Sequence, residues 1–128
     1  MVRENSLLLL CFGLAALLTG CEQDQSQLNF TPQLPGANPV RGATLIASYG
    51  CGSCHVVPGV NNAEGEVGPP LSKFAQRVYV AGMLRNTPDN LANWIENPQS
   101  VVAGNAMPNM GVSNRDAQDI AAYLYTLQ

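Results

Sequence analysis

Apolar positions fall into two regimes along this chain. Residues 7–18, LLLLCFGLAALL, form a run with no polar interruption. Further on they recur at helical spacing. Leu45, Ile46 and Tyr49 share one stripe of a segment from about 40 to 50 that stops at Gly50. Thr87-Pro88-Asp89 reads as a helix start, with Thr87 as N-cap, proline in the first helical position and an acid in the first turn. Leu91, Trp94 and Ile95 then follow at i, i+3, i+4, and Pro98 ends the segment. Ser113 and Asp116 approximate a capping box, with Asp in place of the usual Glu or Gln. Ile120, Ala121, Leu124 and Leu127 carry that helix to the C-terminus. A shorter helical turn is expected near 72–78. No stretch alternates convincingly at the period of a strand. The pattern predicts an all-α fold of three main helices with long loops.

The first apolar run is too short to span a bilayer, which takes about 20 residues. It follows Arg3 and ends in small residues, as a secretory signal over 1–20 would. Leu18-Thr19-Gly20-Cys21 resembles the bacterial lipobox, in which the cysteine is lipidated and becomes the new N-terminus. The competing readings are an ordinary signal with a chance cysteine, and an uncleaved anchor, which Glu22, Gln23 and Asp24 disfavour. With processing, Cys11 leaves and Cys21 is capped by lipid. Residues 21–39 are then a lipidated N-terminus and flexible tether, polar and proline-containing, and 40–128 are the domain.

Composition narrows the function. The 128 residues carry six Lys/Arg and nine Asp/Glu, a net charge of −3, which excludes a nucleic-acid binder. A single histidine excludes a multi-His metal enzyme. A domain of this size buries a modest share of its surface. Loops such as 56–70 and 97–112 are expected to add little core, so the chain calls for something apolar to wrap around.

Cys51-Gly52-Ser53-Cys54-His55 is C-x-x-C-H, the attachment signature of c-type haem. Two thiols add across two vinyl groups of the haem, and the next residue can offer its imidazole to the iron. A thioredoxin-type dithiol would need a strand before the motif and βαβ after it. A zinc site would need a fourth ligand, and no other Cys or His remains in the domain. A disulfide across two residues would be strained. The second axial ligand has three candidates, Met83, Met107 and Met110. Met107-Pro108 lies in the loop before the last helix, 52 residues after His55, with Pro108 stiffening the backbone. Met83 reads as packing, and Met110 as packing against the cofactor or as surface.

These residues resemble the class I bacterial cytochromes c. The ordered set is C51-x-x-C-H55, Gly68-Pro69-Pro70-Leu71, Asn86-Thr87-Pro88, Leu91-x-x-Trp94-Ile95-x-Asn97-Pro98, Met107-Pro108 and Ile120-Ala121-Ala122-Tyr123-Leu124. The likeness is greatest to the cytochrome c domain fused to subunit II of bacterial haem–copper oxidases. It implies one haem c held by Cys51 and Cys54, with His55 and Met107 on the iron. It also implies that the Pro69 carbonyl meets the His55 ring N–H, that Leu71 packs on the haem, and that Trp94 and Arg77 meet propionates. The first and last helices should cross, Leu45 or Tyr49 against Tyr123 and Leu124. Arg85 stands where relatives often have proline, which should leave that turn looser. The ring of lysines found in mitochondrial-type members has no counterpart here.

The function expected is that of a membrane-tethered monohaem cytochrome c, on the periplasmic side of a bacterial membrane. It would pass single electrons from a quinol-oxidising complex or a dehydrogenase to a terminal oxidase, as a monomer or a subunit of a larger complex. It would not itself be an enzyme. Docking would use a small apolar patch at the haem edge. The alternative is a haem-based gas or redox sensor, or a weak peroxidase, with a labile Met107. A non-haem thiol protein using Cys51 and Cys54 is a third reading.

Overall fold

Proline at the first helical position and a polar cap set where the helices begin. In the computed structural model, which describes residues 34–128, Asn38 Oδ1 accepts from the Arg41 N–H and opens helix α1, Pro39–Ser48. Thr87 caps α2, Pro88–Glu96, by accepting from the Asn90 N–H. Ser113 caps α4, Asn114–Leu124, by accepting from the Asp116 N–H at 3.2 Å. Between the last two lies a single-turn helix, α3, Pro98–Val101. Pro98 therefore both ends α2 and starts α3, because a proline cannot donate within a helix but suits its first turn. A 3₁₀ turn at Phe74–Gln76 fills the expected helical turn. Among the described residues the fold is all-α but for an antiparallel strand pair, β1 Tyr79–Val80 with β2 Leu84–Arg85, and an isolated bridge between Val56 and Glu64, none of which the sequence pattern predicted.

Helices α1 and α4 cross at Gly42. A Cβ there would lie 2.0 Å from the Asp119 carbonyl oxygen, so only glycine allows this approach. Around the crossing, Arg41 bridges Asp116 and Asp119, and the Tyr49 hydroxyl donates to Asp116 at 2.7 Å. The Asp116 carboxylate is thus turned to the facing helix while its own N–H completes the Ser113 cap. Asp119 is fully buried and also accepts from the Asn38 N–H at 2.7 Å. Ile46, Leu91, Ile95, Ile120, Leu124 and Tyr125 form the core with Phe74 and Val80.

Three details differ from expectation. Residues 34–38, read as the end of a tether, are held on the domain. Leu34 packs against the core, and Arg115 donates to the Gly36 carbonyl at 2.7 Å. Residues 1–33, with the expected signal, the lipidation site Cys21 and most of the tether, lie outside the described residues. The loop 56–70 does contribute core, since Val57 and Ala63 are 2% and 3% exposed. The turn at Arg85 is not loose: its carbonyl accepts from the Thr87 N–H at 2.8 Å and from Asn90 Nδ2 at 3.0 Å. Among the described residues no helix is long and apolar enough to cross a membrane.

Candidate functional site

The end of α1 builds the first wall of the site. Gly50 takes a left-handed φ of 71°, and the chain enters a 3₁₀ turn at Cys51–Ser53. Side chains three apart nearly eclipse in such a turn. Cys51 and Cys54 therefore project to the same side, as free, half-buried thiols. Burial pushes the Cys51 thiol above its ordinary pKa. The other side of the turn seats on the following loop: a Cβ on Gly52 would lie 2.6 Å from Ala63 Cα. The Gly65 N–H donates to the Gly52 carbonyl at 3.0 Å, and the Gly68 N–H to that of Cys54 at 2.7 Å.

His55 leaves this turn with its ring against the loop. Its Nδ1 lies 2.8 Å from the Pro69 carbonyl oxygen, so Nδ1 carries a proton and Nε2 is the nitrogen left for a ligand bond. A Cβ on Gly68 would lie 2.3 Å from His55 Cε1, so the ring rests directly on the Gly68 backbone.

Cys51, Cys54 and His55 all open onto one cavity of about 410 Å³, a size that suits a cofactor. Ile46, Leu71, Leu91, Ile95 and Leu124 line its depth. Met107 and Pro108 line it from the loop between α3 and α4, so the structure brings His55 and Met107 to a single space. Val67, Tyr79 and Met110 line it as well and are exposed, which marks its solvent-open side. Met83 is 65% exposed and is not packing, because the β1–β2 turn carries it outward.

Two polar groups line the cavity, a cation without a matching charge and an indole N–H without an acceptor. The Arg77 guanidinium is half-buried, stacks with its Cζ 5.0 Å from the Phe74 ring centre and donates to the Pro70 carbonyl. No carboxylate among the described residues pairs with it, and burial lowers its pKa. The Trp94 indole N–H donates to no acceptor among the described residues. No buried side-chain nitrogen or oxygen among the described residues lacks a partner, so the unbonded Trp94 N–H is reachable from outside and not orphaned in the core. An apolar cavity with two thiols, an imidazole and a thioether, edged by an unmatched cation and a free donor, fits a large apolar ring bearing anionic groups. A haem has this character, and the site passes that test.

Two contributors, Gln99 and Asn105, lay outside the sequence reading, and a third, Asn86, entered it only within the resemblance and without a role. Gln99 and Asn105 hold the Met107 loop, and Asn86 ties the Tyr125 hydroxyl (2.9 Å) to the carbonyls of Phe74 and Arg77. Their only signal was that amide side chains in loops and at helix ends favour bonds to nearby backbone.

Comparison with known proteins finds one family. The family model described as cytochrome c matches residues 39–128. Cytochrome c oxidase subunit 2 of Alkalihalophilus pseudofirmus is 36% identical over 89 residues, 69% of this chain and 25% of that protein. The subunit 2 of Bacillus subtilis is 32% identical over 87 residues, 66% of this chain and 24% of that one. That of Bacillus sp. is 34% identical over 64 residues, 48% and 18% respectively. The match thus spans about a quarter or less of these relatives.

Proposed function

As this chain belongs to the cytochrome c family, we propose that it passes single electrons between a quinol-oxidising complex or a dehydrogenase and a terminal oxidase. We place it on the periplasmic side of a bacterial membrane, held by lipid on Cys21. At the coarser level it is an electron-transfer cytochrome with one covalent haem c. The likeness to oxidase subunit 2 supports work within a respiratory oxidase complex.

When bound, the haem supplies an iron that cycles between ferrous and ferric states. This chain's residues do the rest. The Cys51 and Cys54 thiols would hold it as thioethers. His55 Nε2 and the Met107 sulfur would bind its iron. The Pro69 carbonyl fixes the His55 ring and raises its basicity as a ligand. Arg77 and the Trp94 N–H would meet the propionates. Leu71, Ile46 and Leu91 exclude water, which lets the coordination shell stay rigid through each electron.

The observation that carries the proposal is the convergence of Cys51, Cys54, His55 and Met107 on one apolar cavity. The test is an optical spectrum of the exported, matured chain, oxidised, reduced, and reduced with carbon monoxide. A low-spin reduced spectrum that carbon monoxide leaves unchanged supports electron transfer. An immediate shift with carbon monoxide would overturn it in favour of a sensor or peroxidase with a labile Met107. A colourless product would overturn both.

A further inference from the structure

We propose that Gln99 and Asn105 are positioning residues that clamp the Met107 backbone and set how readily its thioether leaves the cavity. The inference rests on the reading of Met107 as the distal axial ligand. Both backbone polar groups of Met107 are held by side chains. Its N–H donates to Asn105 Oδ1 at 2.7 Å, and its carbonyl accepts from Gln99 Nε2 at 2.8 Å. Gln99 Nε2 also donates to the Asn105 carbonyl at 3.0 Å, and Gln99 Oε1 accepts from the Gly104 N–H at 3.0 Å. Asn105 Nδ2 donates to the carbonyls of Pro98 and Val102 at 3.0 and 2.6 Å. Each amide thus uses its oxygen and its amino group together. Turning either one around would set oxygen against oxygen and amino group against N–H.

The clamp is local. Every partner lies between Pro98 and Met107, Gln99 is exposed, and neither amide bonds to α1, α2 or α4. Removing it therefore loosens one loop and leaves the main core in place, the condition for local opening without global unfolding. The loop needs such support. It reverses at Gly104, with φ of 76°, and the exposed Ala106 anchors nothing. Pro108 biases Met107 toward extended backbone but bonds neither its N–H nor its carbonyl. Without the amides, nothing else described holds the Met107 N–H and carbonyl.

The experiment uses the full matured chain and three variants, Gln99→Ala, Asn105→Ala and Asn105→Asp. Asn105→Asp keeps an oxygen for the Met107 N–H and loses the two donated bonds. Gln118→Ala, an amide on α4 bonded only to Asn114, is the comparison. Three quantities are read: the near-infrared sulfur-to-iron charge-transfer band, the rate of carbon monoxide binding to the reduced protein, and global thermal unfolding. Gln99→Ala and Asn105→Ala should each bind carbon monoxide about 3- to 10-fold faster, in line with the net worth of the one bond each makes to Met107. Their charge-transfer band should weaken, their global unfolding should stay near wild type, and Asn105→Asp should fall between Asn105→Ala and wild type. Wild-type carbon monoxide rates in these variants, or an equal rise in Gln118→Ala, would overturn the clamp. A wild-type protein without the band would instead overturn the reading of Met107 as ligand. Should Asn105→Ala fail to mature, Gln99→Ala and Asn105→Asp decide the question.

Discussion

His55 is held from two sides by groups that leave its ring no freedom. The Pro69 carbonyl fixes its tautomer, and the Gly68 backbone occupies the space beside Cε1. Gly68→Ala would put a methyl 2.3 Å from that carbon, so the ring must turn off the Pro69 oxygen or the loop must move. Overpacking of this kind costs about 1–3 kcal/mol. Urea unfolding of the holoprotein should show the loss, and the His55 ring N–H resonance should shift or broaden. Unchanged stability with an unchanged resonance would show that the ring is not confined. The residues of covalent attachment were legible in the sequence because bonding chemistry dictates their spacing: C-x-x-C-H can be read without a fold. Gln99 and Asn105 were not, because an amide bonded to backbone leaves no fixed spacing. Met83 was misjudged for a related reason. An apolar residue in a short segment looks buried until the turn that carries it is known.

The crossing of α1 and α4 joins residues that lie almost a domain apart in sequence. Arg41 and Asp119 are 78 positions apart, and their pairing with Asp116 and Tyr49 is the polar part of the joint. Hydrogen bonds from Tyr49 and Arg41 hold the Asp116 carboxylate below its ordinary pKa. For Asp119, burial acts to raise it, but the Asn38 N–H and Arg41 outweigh that and leave it lowered. A carboxylate lowered on folding contributes stability at pH values above its unfolded pKa of 3.8, and that contribution is lost as pH falls through the folded value. Thermal midpoints should therefore fall below about pH 4. In Asp119→Asn this acid dependence should flatten, and the midpoint at neutral pH should already be lower. A variant with the wild-type acid profile would assign the titration to other groups. Two helices were legible because caps are local: Thr87 and Ser113 act within three residues, whereas α1 was read from its apolar stripe and its cap, Asn38, was assigned to the tether. The joint between them was not. The β1–β2 pair escaped too, since its turn is Ala81-Gly82, with Ala81 at φ 54°, and lacks the Asn-Gly or Asp-Gly pair that marks such hairpins.

Over the whole molecule, charge is sparse and the open side of the cavity is apolar. Six basic and nine acidic side chains give a net −3, and Lys73 is the only lysine. Arg41 and Arg115 are committed to Asp116, Asp119 and the Gly36 carbonyl, and Arg77 is half-buried at the cavity. Val67, Tyr79 and Met110 are what a redox partner would meet at the opening. Electrostatic steering raises association rates by about 10- to 1,000-fold and falls away with salt. A surface of this kind has little to lose. On the proposed role, the electron-transfer rate from the reduced full chain to a terminal oxidase in membranes should change less than about threefold between low salt and about 0.3 M, where charged surfaces are screened beyond a few ångströms. A shared membrane would supply the encounter instead, by raising effective concentration without new contacts. Cys21→Ser, exported with the signal intact, should move the chain out of the membrane fraction and slow oxidase turnover at the same total protein. Its rate should recover when the soluble variant is added in excess, because the cavity and its apolar edge are untouched. A rate that collapses with salt would instead require a charged docking surface on the partner reaching the few free cations here. A Cys21→Ser chain that stays in the membrane would show that the attachment lies elsewhere.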